Sequence, residues 1–143
     1  MQLKIKNSLV EGAMELLFNL ELRGKQSRHR TKFIKRLNEQ LTEVKEQRMD
    51  LIKEHSNLDE DGKPVIIDNV YDIIDMDAFN KDVAELFAEE LIISSPVDDE
   101  MLKTIKQVLD ECEVAFSREQ AIVYDELCEA FDNAFAEEKE EEN

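Results

Sequence analysis

The feature that most constrains the fold is a run without glycine or proline, from residue 25 to residue 61. Spacings that alternate between three and four residues, typical of a helix seam, connect seven positions within this run: Ile34, Leu37, Leu41, Val44, Arg48, Leu51 and His55. The pattern predicts one helix of about 30 residues, capped by Ser27 and roughly 45 Å long. Because a domain of this size is roughly 40 Å across, the helix should span the domain or project beyond it. An uncovered seam would favour pairing with a second copy or with a partner helix.

Shorter patterns on both sides of the long helix predict the remaining elements. Gln2 to Lys6 alternates, with Leu3 and Ile5 on one face and Lys4 and Lys6 on the other, as a half-buried strand does. Ser8 with Glu11 fits a capping box for a first helix that ends near Gly24. After the long helix, strands around Asp68-Asn69 predict a hairpin, and Leu91-Ile92-Ile93 predicts one more extended segment.

Three further helices are expected in the second half of the chain. Asp75 or Asp77 can cap the third helix, and Ser95-Pro96 can open the fourth. Ser117 with Gln120 fits a capping box for the fifth. The fold class is therefore mainly α (α+β), with about five helices and one small antiparallel sheet of short strands. We expect a single domain over residues 1–136 and a disordered acidic tail over residues 137–143.

Composition excludes several classes of protein. The 143 residues carry a net charge of −17 and are 42% hydrophobic, which is enough for one core and separates the chain from acidic disordered proteins. No apolar run is long enough to span a membrane, and residues 1–6 lack the apolar run of a signal peptide. Two cysteines, Cys112 and Cys128, are too few for a secreted disulfide scaffold. These observations predict a soluble, intracellular protein with no membrane partner.

The charge is divided between two parts of the chain. Residues 1–36 hold nine Lys or Arg against three acids, whereas residues 37–143 hold nine against thirty-two. The basic residues concentrate in the basic segment, which we define as residues 23–36. Six of its cations are the candidate partner-binding residues: Arg23, Lys25, Arg28, Arg30, Lys32 and Arg36.

Four partners could face the basic segment. They are the acidic helices of the chain itself, the acidic face of a second copy, an acidic protein, and nucleic acid, whose phosphates Lys and Arg neutralise. Nucleic acid is the least favoured, because stacking aromatic residues do not alternate with the cations and the remaining acidic charge repels a polyanion.

No motif in the sequence indicates catalysis or a cofactor. Residues 57–68 match the register of an EF-hand loop, with Asn57, Asp59, Asp61 and Asp68 at ligand positions and Gly62 at the turn. The last ligand is Asp where that loop uses Glu, and strand residues follow, so an acidic turn entering a hairpin explains the same residues. Cysteine and histidine spacing predicts no zinc site. We therefore expect no enzyme activity, no metal, no cofactor and no small-molecule substrate.

Four segments carry a resemblance to a known family: residues 3–7, residues 21–32, the turn Asp59-Glu60-Asp61-Gly62, and residues 100–106. In these segments the chain resembles small uncharacterised proteins encoded by tailed phages and prophages of Gram-positive bacteria. The resemblance implies a phage or prophage origin and a location in the cytoplasm of a bacterial host or in association with the virion. It supplies no catalytic residues.

These observations lead to three functional hypotheses. The first is a non-enzymatic accessory protein that acts through protein contacts or self-association, in virion (tail) assembly or on a host factor. The second is a nucleic-acid-binding protein that uses the basic segment. The third is an acidic DNA mimic that inhibits a host factor through residues 98–143, where four Lys or Arg face sixteen acids.

Overall fold

The computed structural model describes residues 1–142, with side chains up to residue 140. The elements follow in the order β1 (Leu3–Lys6), α1 (Asn7–Phe18), α2 (Gly24–His55), β2 (Ile66–Ile67), β3 (Val70–Tyr71), α3 (Met76–Ala88), β4 (Glu90–Ile93), α4 (Asp99–Asp110) and α5 (Glu119–Glu142). A short 3₁₀ helix, Pro96–Asp98, precedes α4. The predicted class, mainly α with a small β component, is confirmed.

The predicted long helix is α2, whose 32 residues give a length of about 48 Å. It begins three residues before Ser27, with Arg23 in the N-cap position and no side-chain cap. α2 packs against α1, α4 and α3. Its first half contacts α1 and the start of α4 through Arg30 and Arg36, and His55 at its end contacts α3. Along the predicted seam, Leu37 and Val44 are buried and only Arg48 is exposed. The chain therefore covers most of its own seam.

The four strands form two separate sheets within the described residues, whereas the sequence predicts one sheet. β1 pairs with β4 in antiparallel register, from Leu3 opposite Ile93 to Lys6 opposite Glu90. β2 and β3 form the predicted hairpin, with Ile67 opposite Val70. Asp68 and Asn69 join these strands with φ of 52° and 66°, the conformation of a two-residue type I′ turn. The two sheets stay apart because α2 carries the chain from one region to the other.

The predicted capping box of α1 is wrong. The helix begins at Asn7 with Lys6 in the N-cap position, so Ser8 lies inside the helix and makes no cap. The backbone N–H of Asn7 instead donates to the carbonyl of Glu89 at 2.9 Å, and its side chain donates to the carbonyl of Leu86 at 2.8 Å. Groups at the end of α3 therefore satisfy the start of α1. At its other end α1 stops at Phe18, several residues before Gly24.

One hydrophobic core joins β1, β4, α1, the first half of α2, α4 and α5. Phe33 of α2 and Phe131 of α5 meet edge to face in this core, with ring centroids 5.7 Å apart. Gly12 brings α1 close to α5, because a Cβ at this position would lie 2.8 Å from Cγ2 of Val123. None of the described helices is long and apolar enough to cross a bilayer.

The last element of the described chain is α5, which continues to Glu142. Disorder over residues 137–143 stays a prediction from composition. Glutamate is a good helix former, and each residue added to an existing helix gains a hydrogen bond. Asn143 lies outside the described residues.

Candidate interaction site

Some cations of the basic segment contact other parts of the same chain. Arg30 reaches the end of α1, where its Nη1 donates to the carbonyl of Leu17 at 3.3 Å and to the carbonyl of Leu20. The last carbonyls of a helix have no partner within the helix, and a cation at this end also opposes the negative pole of the helix dipole. Arg30 therefore acts as a structural cap for α1.

Two more of the six candidate cations contact the beginning of α4. Nη1 of Arg36 lies 2.9 Å from Oδ2 of Asp98, whose side chain is only 16% exposed. Nζ of Lys25 forms an ion pair with Glu100 at a more exposed position. The Lys25 ammonium holds the pKa of the Glu100 carboxyl below its ordinary value. These contacts join α2 to α4 by pairing basic and acidic residues of the same chain.

His29 lies between these ion pairs. Its Nδ1 is 2.8 Å from the hydroxyl oxygen of Thr104 on α4. Burial lowers the pKa of the imidazole below 6.5, and the nearby ammonium groups of Lys25 and Lys32 lower it further. The neutral ring is thus favoured in the folded protein, as a packed and hydrogen-bonded side chain requires.

The other three candidate cations, Arg23, Arg28 and Lys32, are exposed. Arg28, Lys32 and Lys35 are spaced four and three residues apart, so they lie on one face of α2. We call these three residues the cationic stripe. Lys35 was not among the six candidates, although its spacing from Arg28 and Lys32 could have indicated it. The exposed cations of the basic segment are thus this stripe, Arg23 and the paired Lys25.

An apolar groove lies beside the stripe, between α1 and α2. It encloses about 460 Å³ and is lined mainly by Met14, Phe18, Ile34 and Lys35, with Glu15, Asn19 and Asn38 completing its wall. The side chain of Phe18 is 72% exposed, which is unusual for a large aromatic residue. We call this feature the α1–α2 groove.

A second exposed apolar surface lies on the hairpin segment at the other end of α2, and sequence reasoning did not identify it as a site. Six large aliphatic side chains between residues 58 and 76 are 49% to 68% exposed: Leu58, Ile66, Ile67, Val70, Ile74 and Met76. Residues 56–77 also hold seven acids and a single lysine. We call residues 56–77 the hairpin surface and these seven acids its acidic rim. Ile67 and Val70 pair on one face of the hairpin, whereas the neighbouring Ile66 lies on the opposite face.

The backbone of the hairpin segment is ordered by hydrogen bonds to the end of α2. The N–H of Asn57 donates to the carbonyl of Asp72 at 3.0 Å, and the N–H of Ile74 donates to the carbonyl of His55 at 2.8 Å. The N–H of Val65 donates to the carbonyl of Asn57 at 2.8 Å. The aliphatic side chains are therefore held outward by a defined backbone.

The EF-hand register does not produce an EF-hand. Oδ1 of Asp59 accepts hydrogen bonds from the backbone N–H groups of Asp61 and Lys63, at 2.9 and 3.0 Å. Asp68 lies in the turn between β2 and β3, and a strand follows the loop where an EF-hand has its second helix. The Asp59 carboxylate is thus engaged by backbone N–H groups of its own turn.

Glu54, His55 and Asp82 form a cluster of polar groups at the base of the hairpin. One potential ligand atom of each lies within 4.8 Å of the others, the only such group of three among the described residues. Nε2 of His55 is 2.6 Å from Oδ2 of Asp82, and its ring meets Phe79 edge to face at 5.7 Å. The His55–Asp82 contact fastens the end of α2 to α3.

A cleft and two thiols lie near the end of α4 and in α5. A cleft of about 510 Å³ lies between residues 19–26 and 108–114, and Cys112 is part of its wall. Burial raises the pKa of the Cys128 thiol, whereas a reactive cysteine needs a lowered one. The hydroxyl of Tyr124 donates to the carbonyl of Leu109 at 2.6 Å, and burial raises its pKa to about 12. These groups are packed as structural side chains.

Comparisons with known proteins place the chain in a family. Searches of the curated proteins and of the solved structures gave no match. A family model described as "Protein of unknown function (DUF1617)" matches residues 1–140, almost the whole chain. The chain therefore belongs to the DUF1617 family.

Proposed function

We propose that this protein is a non-enzymatic accessory protein of tailed phages and prophages that acts through contacts with other proteins. Its place of action is the cytoplasm of the bacterial host or the virion, and its role is in virion (tail) assembly or on a host factor. The phage origin rests on the resemblance of residues 3–7, 21–32, 59–62 and 100–106 to such proteins. The mode of action rests on the surfaces described above.

The hairpin surface is the observation that carries the proposal. Fully burying one Ile or Val side chain is worth about 1.5–3 kcal/mol. Ile67 and Val70 lie side by side on one face of an ordered hairpin, and a contiguous exposed apolar surface is typical of an interaction site. The acidic rim suits a partner that surrounds an apolar patch with Lys or Arg. Charge on both sides of such a contact favours one partner over others.

The basic segment supports nucleic-acid binding less well. Lys25, Arg30 and Arg36 already contact carboxylates or carbonyls of this chain. A phosphate backbone would have to compete with those contacts or bind the exposed cations alone. A gel shift at low salt tests this alternative, and we expect no retardation of duplex or single-stranded DNA or RNA.

Affinity capture from a lysate of the bacterial host tests the proposal. The full chain is compared with Ile67→Asp on the hairpin surface and with Val97→Asp, a matched control because Val97 is 85% exposed on the 3₁₀ helix. We expect Ile67→Asp to lose proteins that the unmodified chain and Val97→Asp both retain. An identical set of captured proteins for all three would contradict the proposal.

A further inference from the structure

We infer that the hairpin surface of one copy docks into the α1–α2 groove of a second copy, so that the protein associates head to tail. This inference rests on the proposed function, because it names a partner for the same surface. It requires two complementary surfaces on one chain, a separation that prevents them from meeting within that chain, and a contact that overcomes the net negative charge.

The apolar parts of the two surfaces suit each other. Ile67 and Val70 face each other across the hairpin and are 54% and 61% exposed. The groove presents the exposed ring of Phe18 with Met14 and Ile34, and its volume of about 460 Å³ can receive a few aliphatic side chains. Docking would remove both apolar surfaces from water at once.

The hairpin surface is acidic, whereas cations predominate at and beside the groove. The hairpin turn carries Asp68 between its two strands, and the neighbouring turn contributes Asp59 and Asp61. The groove wall holds Lys35 and one acid, Glu15, and Lys32 lies one turn away from Lys35 on the same face of α2, so cations outnumber the acid there. Charge complementarity therefore accompanies apolar complementarity and sets the direction of the contact.

The two surfaces lie far apart on the same helix. Ile34 in the groove and His55 at the base of the hairpin are 21 residues apart in α2, a distance of about 32 Å. A hairpin anchored to His55 cannot reach the groove of its own chain. The contact must therefore join two copies, and because the surfaces differ, a chain of contacts forms a ring or a filament instead of a closed symmetric dimer.

The net charge of −17 opposes association, but mainly at long range. At physiological salt, charges are screened over roughly 8 Å, so close contacts between the stripe and the acidic rim outweigh more distant repulsion. A hairpin tip in a groove is a small interface, of the size typical of transient complexes. We therefore expect association that depends on protein concentration.

Two substitutions on different surfaces test the inference by light scattering. Phe18→Asp places a charge in the groove, and Ile67→Asp places one on the hairpin. Both side chains are exposed, so both variants should keep the fold, which circular dichroism checks. Val97→Asp is the matched control at an exposed apolar position elsewhere.

The expected pattern is specific to head-to-tail contact. The unmodified chain and Val97→Asp should show an average mass that rises above 16.7 kDa with concentration. Each test variant alone should stay at the mass of one chain. An equimolar mixture of the two variants should form a complex of two chains and no larger species, because one intact hairpin and one intact groove remain.

Three results would overturn the inference. The first is an unmodified chain that stays monomeric at every concentration. The second is a variant that associates alone as the unmodified chain does, and the third is a mixture that stays monomeric while the unmodified chain associates. If the chain is monomeric but Ile67→Asp still loses captured proteins, the inference fails and the proposed function stands. If capture is also unchanged, both fail.

Discussion

Replacement of Arg30 by alanine should destabilise the fold, whereas replacement of Arg28 should not. The two arginines lie two residues apart on α2 and carry the same charge. Arg30 donates from Nη1 to the carbonyls of Leu17 and Leu20, but Arg28 is exposed and has no hydrogen bond or ion pair with another described side chain. The pair thus separates the loss of a contact from the loss of a positive charge.

The magnitude follows from the contacts. A hydrogen bond that involves a charged group contributes about 1.5–3 kcal/mol, and the second contact to Leu17 is long at 3.3 Å. Because Arg30 is half-buried and water can replace part of the interaction, we expect Arg30→Ala to lower the free energy of unfolding by about 1–2 kcal/mol. For a chain of this length the loss corresponds to a fall in Tm of about 3–6 °C. Arg28→Ala should stay within about 0.5 kcal/mol of the unmodified protein.

Urea unfolding followed by circular dichroism measures both variants. Arg30→Lys adds a second comparison, because it keeps the charge but replaces the planar guanidinium with a single ammonium group. We expect an intermediate loss for this variant. Equal free energies of unfolding for Arg30→Ala and Arg28→Ala would refute the interpretation of Arg30 as a structural cap.

Three further predictions concern packing, pH and calcium. Gly12→Ala should destabilise the protein by about 1 kcal/mol through its clash with Val123. In a Val123→Ala background the same change should stabilise the protein, because the better helix propensity of alanine then acts alone. Urea unfolding measures both effects, and the same sign in both backgrounds would contradict the close packing of Gly12 against Val123. His29 should titrate below pH 6.5 when followed by NMR, and a midpoint at or above 6.5 would be inconsistent with the burial of the ring. Because the unfolded chain binds the His29 proton more tightly than the folded chain, the free energy of unfolding should fall as pH decreases below 6.5. The fall should be less steep in His29→Gln. Millimolar calcium should leave Tm unchanged, and a rise of several degrees would restore the EF-hand interpretation of residues 57–68.

Repeating patterns in the sequence correctly predicted several elements of the fold. The alternation of residues 2–6 predicted β1, and the seam between Ile34 and His55 predicted the long helix. Asp75 caps α3 as expected, accepting from the N–H of Ala78 at 3.2 Å. In the long helix and at the α3 cap, the deciding interactions lie within a few residues of the pattern.

Predictions failed where a distant partner decides the outcome. The start of α1 depends on Glu89, which is remote in sequence, so the local capping box around Ser8 was misleading. The single predicted sheet became two because β1 pairs with β4 and leaves the hairpin alone. Pairing between distant strands depends on how α2 and α3 place them, which periodicity does not describe.

The candidate site shows the same contrast between local and distant interactions. Charge counts identified the basic segment, but the partners of Arg36 and Lys25 lie 62 and 75 residues away, so the sequence could not distinguish structural cations from exposed ones. The sequence did not indicate the hairpin surface, for a related reason. An apolar residue such as Ile67 indicates a strand, but only the folded chain shows whether another element covers it.

Zero-length crosslinking between lysines and carboxylates is the most direct test of the central claim, that the hairpin surface is where this protein contacts other chains. The reaction is performed on the full chain in a host lysate, with isotope labelling to distinguish interchain links. The ion pairs Lys25–Glu100 and Lys106–Asp132 supply internal controls within one chain. We predict interchain links concentrated on the carboxylates of residues 56–77, to a second copy or to another protein. Interchain links confined to residues 23–36 or 98–140, with none on residues 56–77, would contradict the claim.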